Sequence, residues 1–376
     1  MVIRDEKKPQ EVGDDGEVLG ELRELMFAGA RGGVGEKKKE HAVLARRASN
    51  RKGVALPVEF GHAGGNRPAG NLDCLCFVDG FMSSSTQIVL KPFPVKTALL
   101  IDADEPTRTF LANALDPGEW SIRHAANNQS ALELAQVARF DLILTSAKSS
   151  GKEDVELLRK LRAARPHTRL IILTDESAPS YVIDSMREHA FSYFSKPFSL
   201  DALAEMVHLA SDQPCWDDGI EVVSGTPEWI RLNVRCDQPT ADRLIQFLHE
   251  IADLPEAESN KVAVAFREIL LNAMEHGGKF RPDQYVQISY VRAKHMVLCR
   301  IKDPGEGFTL DEIQHAAVAN PPDDPIRHAA YRQERGMRPG GYGILLAQKL
   351  VDELIYNEEG NEVLLVKYLE NGELRH

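Results

Sequence analysis

The chain has 376 residues, 43% of them apolar and 27% charged, which is long enough for two or more globular domains. Its formal net charge of −12 argues against nucleic acid as a direct partner, because phosphate binding needs a basic surface. The sequence contains no apolar run of the roughly 18 residues that would span a bilayer, and its first residues lack a signal-peptide core. These features predict a cytoplasmic protein that does not enter a membrane.

Residues 1–94 show no sustained hydrophobic periodicity, and glycine and charged clusters alternate there with short apolar pieces. This composition predicts a disordered N-terminal extension, since such a segment buries too little apolar surface to offset the entropy of folding. An N-terminal segment that folds is the alternative. Met82 is also an alternative translation start, which would remove most of this extension.

From residue 95 to residue 212, short apolar strands alternate with amphipathic helices. This alternation predicts a doubly wound parallel sheet, whose functional edge lies at the C-terminal ends of the strands. The predicted strands cover residues 98–101, 121–124, 141–145, 170–173 and 191–194, and the predicted helices cover residues 106–114, 130–137, 154–164, 180–188 and 199–209.

Polar residues follow several of these predicted strands. Asp104 comes after the first, Thr174 ends the fourth, and Lys196 with Pro197 comes after the fifth. These residues resemble the receiver domain of two-component response regulators. The resemblance covers about residues 95–212 and implies a CheY/flavodoxin-like fold.

The resemblance fails at the phosphorylation site. Receivers carry a phosphorylatable aspartate at the end of the third strand, where this sequence has Ser146. Ala103 replaces the first of two adjacent metal-binding acids, although Asp102 precedes it. Phosphoryl transfer needs a carboxylate nucleophile and a Mg²⁺ ion held by acidic oxygens. We therefore predict a pseudo-receiver that serves as a dimerisation or regulatory docking surface; a shifted register and unusual phosphorylation are the alternatives.

Residues 213–226 have the composition of a linker, and residues 227–376 are predicted to form a second domain. It should be a mixed sheet with helices on one face. The long charged, proline-rich stretch from 309 to 340 has little pattern and is typical of a mobile lid. The predicted strands cover residues 229–234, 286–290, 296–301, 354–356 and 363–368, and helical patterns cover residues 240–252, the region around 268–272 and residues 344–354.

Three motifs in this second domain point to a nucleotide site. Glu268 and Asn272 are four residues apart, so they share one face of a helix, and an asparagine amide oxygen suits Mg²⁺. Asp303 follows an apolar strand and can accept a hydrogen bond from an adenine amino group. Gly305 and Gly307 then let the backbone approach a flat base. Finally, Gly341 and Gly343 open a helical pattern, whose free amides favour phosphates.

In this order, the motifs resemble the N, G1 and G2 boxes of the GHKL ATPase superfamily. The match is closest to the anti-sigma-factor serine kinases of bacterial partner switches, and it covers about residues 220–376. The resemblance implies a Bergerat α/β sandwich that binds ATP and Mg²⁺. It also implies a serine/threonine protein kinase, whose substrate is an anti-sigma-factor antagonist with a STAS domain and whose other partner is a sigma factor.

Under that resemblance, Glu268 is the general base that accepts the proton of a partner's hydroxyl group, and Asn272 holds Mg²⁺. His276 either supports the helix or takes part directly. Arg335 and Arg338 of the lid either reach the γ-phosphate or belong to a solvated face. A homodimer is expected.

Two other functions stay open at this point. The second domain can bind ATP without phosphorylating anything and act as an ATP-gated interaction module. The protein can also be a response regulator with an ATPase output, which requires a working aspartate and is disfavoured by Ser146. A histidine kinase is disfavoured because no helix suited to histidine phosphorylation and dimerisation precedes the ATP motifs.

Overall fold

The computed structural model describes residues 2–4, 96–145, 150–176, 178–212, 217–252, 254–337 and 339–369. Residues 5–94 lie outside this part, so the predicted disordered extension stays a prediction for them. At the N-terminus, Val2–Arg4 forms strand β1, which the sequence analysis does not predict. Among the described residues, no helix is long and apolar enough to cross a membrane.

The first domain is the predicted doubly wound α/β fold. Within the described residues, its sheet has five parallel strands in the order β3-β2-β4-β5-β6, so the C-terminal strand β6 forms one edge. The central strands are buried on both faces, as expected for a parallel sheet covered by helices on its two sides. The elements are β2 (Lys96–Ile101), α1 (Glu105–Ala114), β3 (Trp120–Ala125), α2 (Asn128–Val137), β4 (Leu142–Leu144), α3 (Gly151–Ala164), β5 (Arg169–Thr174), α4 (Pro179–Arg187), β6 (Ser192–Ser195) and α5 (Leu200–Asp212).

Side chains at strand ends also set the starts of helices. The carboxylate of Asp104 accepts a hydrogen bond from the Thr107 backbone N–H at 2.9 Å and caps α1. Asn127 and Ser130 form a reciprocal capping box at the start of α2. Asp104 is thereby held at the C-terminal edge of the sheet, where the sequence analysis places it.

The second domain is built on an antiparallel sheet. Within the described residues it has seven strands in the order β1-β11-β12-β10-β9-β8-β7. Residues that face one another across the strands, such as Leu232, Ile288 and Ile301, share one core with residues of the helices. The elements are β7 (Ile220–Thr226), β8 (Trp229–Arg235), α6 (Gln238–Ala252), α7 (Glu256–Asn272), β9 (Tyr285–Ala293), β10 (Met296–Lys302), α8 (Arg327–Glu334), α9 (Gly343–Leu350), β11 (Glu353–Tyr356) and β12 (Glu362–Tyr368).

The structure corrects three boundaries in this domain. The predicted linker at 213–226 is wrong in its second half, because β7 occupies Ile220–Thr226 and pairs with β8. The helical pattern predicted over 344–354 ends at Leu350, because Val351 is extended and leads into β11. The lid is also more ordered than its composition suggests, since it contains helix α8 and short 3₁₀ turns.

The two domains meet through α4 and β6 of the first and β7 and α6 of the second. Arg243 of α6 is only 3% exposed at this junction. Its guanidinium donates to the carbonyl oxygens of Ala190 at 3.1 Å and Phe191 at 2.8 Å, and it pairs with Asp218 at 2.6 Å. His189 Nδ1 lies 2.7 Å from the same Asp218 carboxylate, and this hydrogen bond raises the pKa of His189. One buried arginine therefore joins both domains.

Replacing Arg243 by methionine should destabilise the protein by about 3–5 kcal/mol, because it removes the buried charge that pairs with Asp218 and leaves two carbonyl oxygens of the first domain without their donor. Urea unfolding of the full chain measures this loss. Arg159→Met is the matched control, since Arg159 pairs with Glu188 on the surface and should matter little. If Arg243→Met had the same free energy of unfolding as Arg159→Met, the stabilising role of Arg243 between the domains would be contradicted.

Candidate functional site

A cavity of about 1100 Å³ opens in the second domain, between α7, the lid and the start of α9. The structure brings the three sequence motifs together around it, although they lie far apart in the chain. Among its lining residues are all of the nucleotide-site residues predicted from the sequence: Glu268, Asn272, Asp303, Gly305, Gly307, Gly341 and Gly343.

Asp303 follows β10 and lies at the inner end of this cavity. Its Oδ1 accepts a hydrogen bond from the Gly305 backbone N–H at 2.8 Å, which fixes the carboxylate. A Cβ atom at Gly277 would overlap that carboxylate, so only glycine fits at the end of the first motif. Burial raises the pKa of the Asp303 carboxyl to about 6. The group is therefore a partly buried acceptor, suited to the amino group of a planar base.

Two glycines have backbone conformations that other residues rarely adopt. Gly307 has φ +86° and a Cβ there would overlap the Glu359 carbonyl oxygen, so the turn after Asp303 can close only with glycine. Gly341 has φ +92° and a Cβ there would overlap the His315 carbonyl oxygen. This second turn directs the chain into α9, whose N-terminus lies at the cavity.

Glu268 and Asn272 lie on the last turns of α7, facing the start of α9. A Cβ at Gly343 would lie 2.8 Å from Glu268 Oε2 and 3.3 Å from Asn272 Nδ2. The lack of a side chain at Gly343 therefore lets the helix N-terminus approach both groups. Just beyond Asn272, residues Ala273–Gly277 widen into a π-helix, a distortion that is frequent at functional sites.

The cavity combines a carboxylate, an amide and a free helix N-terminus at one place. Amides at a helix N-terminus favour phosphate, and an asparagine oxygen suits a hard cation such as Mg²⁺. The glycine turns leave room that side chains would fill. The residues present therefore fit a Mg²⁺-nucleotide.

The lid contributes a different arginine from those that the sequence suggests. Arg332 of α8 lines the cavity, and its Nη1 donates to the His315 carbonyl oxygen at 3.1 Å. The guanidinium of Arg335, by contrast, stacks on the ring of Tyr331, with 3.8 Å from its central carbon to the ring centroid. Arg338 lies outside the described residues. Arg332 therefore lines the cavity, whereas Arg335 does not.

Two histidines also line the cavity near Arg332. The rings of His276 and His315 are 6.1 Å apart between centroids. Burial, and then the nearby His276 and Arg332, lowers the pKa of His315. His315 and Arg332 were not recognised in the sequence, because the lid has no periodic pattern that would single them out.

The first domain carries its own polar cluster at the C-terminal edge of its sheet. Lys196 Nζ lies 3.2 Å from Asp104 Oδ2 and 3.8 Å from Asp175 Oδ1. The hydrogen bonds from Thr107 lower the pKa of Asp104. Thr174 is buried at the end of β5, and its hydroxyl accepts from the Glu176 N–H at 3.1 Å.

The predicted acceptor position, Ser146, lies outside the described residues. Ala103 is buried and brings no carboxylate to this edge. Among the residues that the structure describes, no group of three or more His, Cys, Asp or Glu side chains could hold a metal ion. Lys196 places its ammonium between two carboxylates instead.

We expect the first domain to stay unmodified by small phosphodonors, because Ser146 offers no carboxylate nucleophile and Ala103 leaves the metal site incomplete. Incubation with acetyl phosphate and Mg²⁺, followed by intact-mass and acid-lability measurements, tests this. A gain of one acid-labile phosphate within residues 95–212 would contradict the pseudo-receiver assignment. A response regulator with an intact aspartate, treated in parallel, serves as the positive control.

Comparison with known proteins matches two segments of the chain to protein families. The description "Response regulator receiver domain" matches residues 98–208, and "Histidine kinase-like ATPase domain" matches residues 236–367. The receiver description agrees with the parallel sheet, and the ATPase description covers all three motifs of the cavity.

Relatives of this chain include two short bacterial regulators. The chain is 27% identical over 109 residues to sporulation initiation phosphotransferase F of Bacillus subtilis (strain 168), covering 29% of this chain and 88% of that protein. It is 29% identical over 113 residues to response regulator receiver protein CpdR of Brucella abortus (strain 2308), covering 30% of this chain and 94% of that protein.

Other similarities cover only parts of longer proteins or of this chain. The chain is 26% identical over 114 residues to the DNA-binding transcriptional regulator NtrC of Azospirillum brasilense, covering 30% of this chain but only 24% of that regulator. A crystal structure of a response regulator from Thermotoga maritima is 27% identical with a TM-score of 0.29, covering 32% of this chain and 99% of that one. The chain thus joins a response regulator receiver domain to a histidine kinase-like ATPase domain, the composition of a signalling protein that binds ATP.

Proposed function

We propose that this protein is an ATP-dependent serine/threonine protein kinase of the anti-sigma-factor type, which phosphorylates a STAS-domain antagonist in a partner switch. The observation that carries the proposal is the position of Glu268. It lies beside Asn272 and within reach of the N-terminus of α9, where phosphates are favoured. A carboxylate at that place can serve a reaction at the terminal phosphate.

Each residue of the cavity has a separate task in this reaction. Asp303 accepts a hydrogen bond from the base, and the turns at Gly307 and Gly341 leave room for the nucleotide. Asn272 would hold Mg²⁺, and Arg332 would meet the phosphates from the lid. Bound Mg²⁺ATP supplies the phosphoryl group and neutralises part of its charge.

Glu268 would act on the partner protein rather than on the nucleotide. A docked serine or threonine hydroxyl, in line with the terminal phosphate, needs a group that accepts its proton. The carboxylate of Glu268 would accept that proton as the hydroxyl oxygen bonds to the terminal phosphorus, while the bond from that phosphorus to the bridging oxygen breaks and ADP leaves. His276 and His315 line the same cavity, and their ring N–H groups would donate hydrogen bonds to the phosphates.

The direct test uses purified full-length protein, labelled ATP with Mg²⁺, and candidate STAS-domain proteins from neighbouring genes. Label should appear on serine or threonine of the antagonist, as acid-stable phosphate. A sigma factor added to the mixture should bind the kinase and compete with the antagonist. Absence of transfer to every antagonist that binds would contradict the kinase proposal.

A second function, an ATP-gated interaction module, is favoured by one observation. The lid places Arg332 in the cavity, so a nucleotide can order the lid and change which partner is bound. In that case ATP changes partner affinity while no phosphate is transferred. The same assay, read together with ATP-dependent partner binding, separates the two functions. The receiver domain would regulate either one, and a homodimer stays part of the proposal.

A further inference from the structure

The receiver face formed by α4 and β6 is covered by the ATPase domain of the same chain. Ile183 of α4 packs close to Gly225 of β7, where a Cβ atom would lie 3.5 Å from its Cγ2 atom. Val182, Ile183 and Met186 share a core with Phe247 and Ile251 of α6, so the contact is apolar and buried. This face is therefore occupied within the chain.

Helix α6 also satisfies the open edge of the receiver sheet. Strand β6 lies at that edge, so its outward N–H and C=O groups have no neighbouring strand. Arg243, Gln246 and Glu250 follow one another at helical spacing and share one face of α6. Arg243 donates to the carbonyl of Phe191, just before β6, and Gln246 Nε2 donates to the Tyr193 carbonyl at 3.0 Å.

Glu250 completes this row of contacts at the end of β6. Its Oε2 accepts from the Ser195 backbone N–H at 3.1 Å and from the Ser195 hydroxyl. Gln246 Nε2 donates a hydrogen bond to the other carboxylate oxygen, Glu250 Oε1, at 3.0 Å. The row therefore runs from the start of β6 to its C-terminal end.

Ser195 directly precedes Lys196. The ammonium of Lys196 lies in the receiver's acidic cluster, where it pairs with Asp104 and Asp175. Lys196 therefore links that cluster, through a single peptide bond, to the residue whose N–H and hydroxyl donate to Glu250. The C-terminal end of β6 thus contacts the receiver's polar cluster on one side and the ATPase domain on the other.

From α6 the contacts continue to the nucleotide site. Helix α6 packs against α7, and Asp242 of α6 pairs with Arg267 of α7 at 3.5 Å. The hydroxyl of Ser259 on α7 lies 2.9 Å from His249 Nδ1 of α6. Arg267 directly precedes Glu268, so a shift of α6 reaches the helix that carries Glu268 and Asn272.

We propose that helix α6 is the partner of the receiver's α4–β6 face, and that the contact of Glu250 with Ser195 couples the receiver's polar cluster to the nucleotide site. This inference rests on ATP binding by the second domain, and it needs no particular phosphoryl acceptor. We take the contact to favour nucleotide binding; because coupling between two sites is reciprocal, a nucleotide in the cavity then strengthens the Glu250–Ser195 contact by the same factor.

Hydrogen exchange on the full chain tests the coupling without any need for catalysis. The Ser195 N–H donates directly to Glu250, so its exchange reports on this contact. A non-hydrolysable ATP analogue with Mg²⁺ should slow exchange of segment 193–196 by about fivefold, at the lower end of typical coupling. Segment 268–277, which lines the cavity, shows in the same experiment whether the analogue binds.

Variants supply the reciprocal measurement. Glu250→Ala should weaken binding of the analogue by about fivefold and remove the protection of segment 193–196. Ser195→Ala deletes only the hydroxyl, so it should lower the analogue affinity and the protection of segment 193–196 by a smaller amount. It also provides the test if Glu250→Ala does not fold. Glu256→Ala, an exposed residue at the start of α7, is the matched control and should leave both measurements unchanged.

The outcomes separate this inference from ATP binding itself. Protection of segment 268–277 without any change in segment 193–196 would overturn the coupling alone. Unchanged affinity in both Glu250→Ala and Ser195→Ala would overturn it as well. Absence of protection in both segments would overturn the nucleotide site and, with it, the coupling.

Discussion

Glutamine in place of Glu268 should lower the rate of phosphoryl transfer to the partner protein by about 10²–10⁴-fold, which is what a general base typically contributes. The change removes the proton acceptor but keeps the size of the side chain beside Gly343. Binding of ATP and Mg²⁺ should therefore stay close to that of the wild type. Single-turnover transfer of label measures the rate, and calorimetry measures the affinity.

Glu256→Gln is the matched control for this experiment. It makes the same chemical change on the same helix, about three turns earlier, at an exposed position outside the cavity. Its transfer rate should equal that of the wild type. If Glu268→Gln transferred phosphate just as fast, the proposed mechanism would be wrong. If the wild type transferred none while ATP still changed partner binding, the interaction module would replace the kinase.

Alanine or asparagine in place of Asp303 should weaken ATP binding at least tenfold, or about 1.4 kcal/mol. Alanine removes the buried acceptor, and asparagine places an amide where a carboxylate now accepts the Gly305 N–H. Burial raises the pKa of Asp303 to about 6, so the carboxylate is partly desolvated at this position. Calorimetry with Mg²⁺ATP measures the loss.

The control for Asp303 is Asp323→Asn, because Asp323 is an exposed carboxylate of the lid that does not line the cavity. Its affinity for ATP should match the wild type. Both proteins should be compared by their unfolding curves, so that a folding defect is not mistaken for lost binding. An unchanged affinity in a folded Asp303→Ala protein would remove the assignment of this motif to the base.

Substitution of Asp303 should thus lower the affinity for ATP, whereas substitution of Glu268 should lower the transfer rate, although both carboxylates line one cavity. Asp303 lies with the turn that follows β10, whereas Glu268 lies with Asn272 at the start of α9. The ends of the site proposed to bind the base and the phosphates are therefore built by different elements. A higher nucleotide concentration should restore the transfer rate of an Asp303 variant, but it should not restore the transfer rate of a Glu268 variant.

Local patterns were sufficient to predict most of the fold. Alternating apolar strands and helices predicted the parallel sheet of the receiver domain, because a strand buried on both faces must be apolar along its length. The four-residue spacing of Glu268 and Asn272 placed them on one helix face, which the structure bears out. Gly307 was expected to allow a close backbone approach, and it has a positive φ angle. Gly341 and Gly343 were expected to open a helix, and α9 begins at Gly343.

The tertiary structure decided the features that depend on contacts between distant residues. Strand β7 lies where composition suggested a linker. The segment has little hydrophobic pattern of its own, but it forms a strand because it pairs with β8 and packs on α4. Arg332 rather than Arg335 lines the cavity, because the fold of the lid decides which face of α8 turns inward. Neither choice leaves a periodic signal in the sequence.

The junction between the domains shows the same limit. The sequence shows Arg243, Gln246 and Glu250 only as polar residues on an amphipathic helix, where such residues normally face water. They meet the receiver instead, because an open strand edge needs donors and acceptors, and α6 is the element that packs there. Sequence patterns alone were enough to predict two domains and the residues that meet around one cavity. The contact that joins the domains depends on the backbone N–H and C=O groups of β6. Every residue carries such groups, so no sequence pattern marks them.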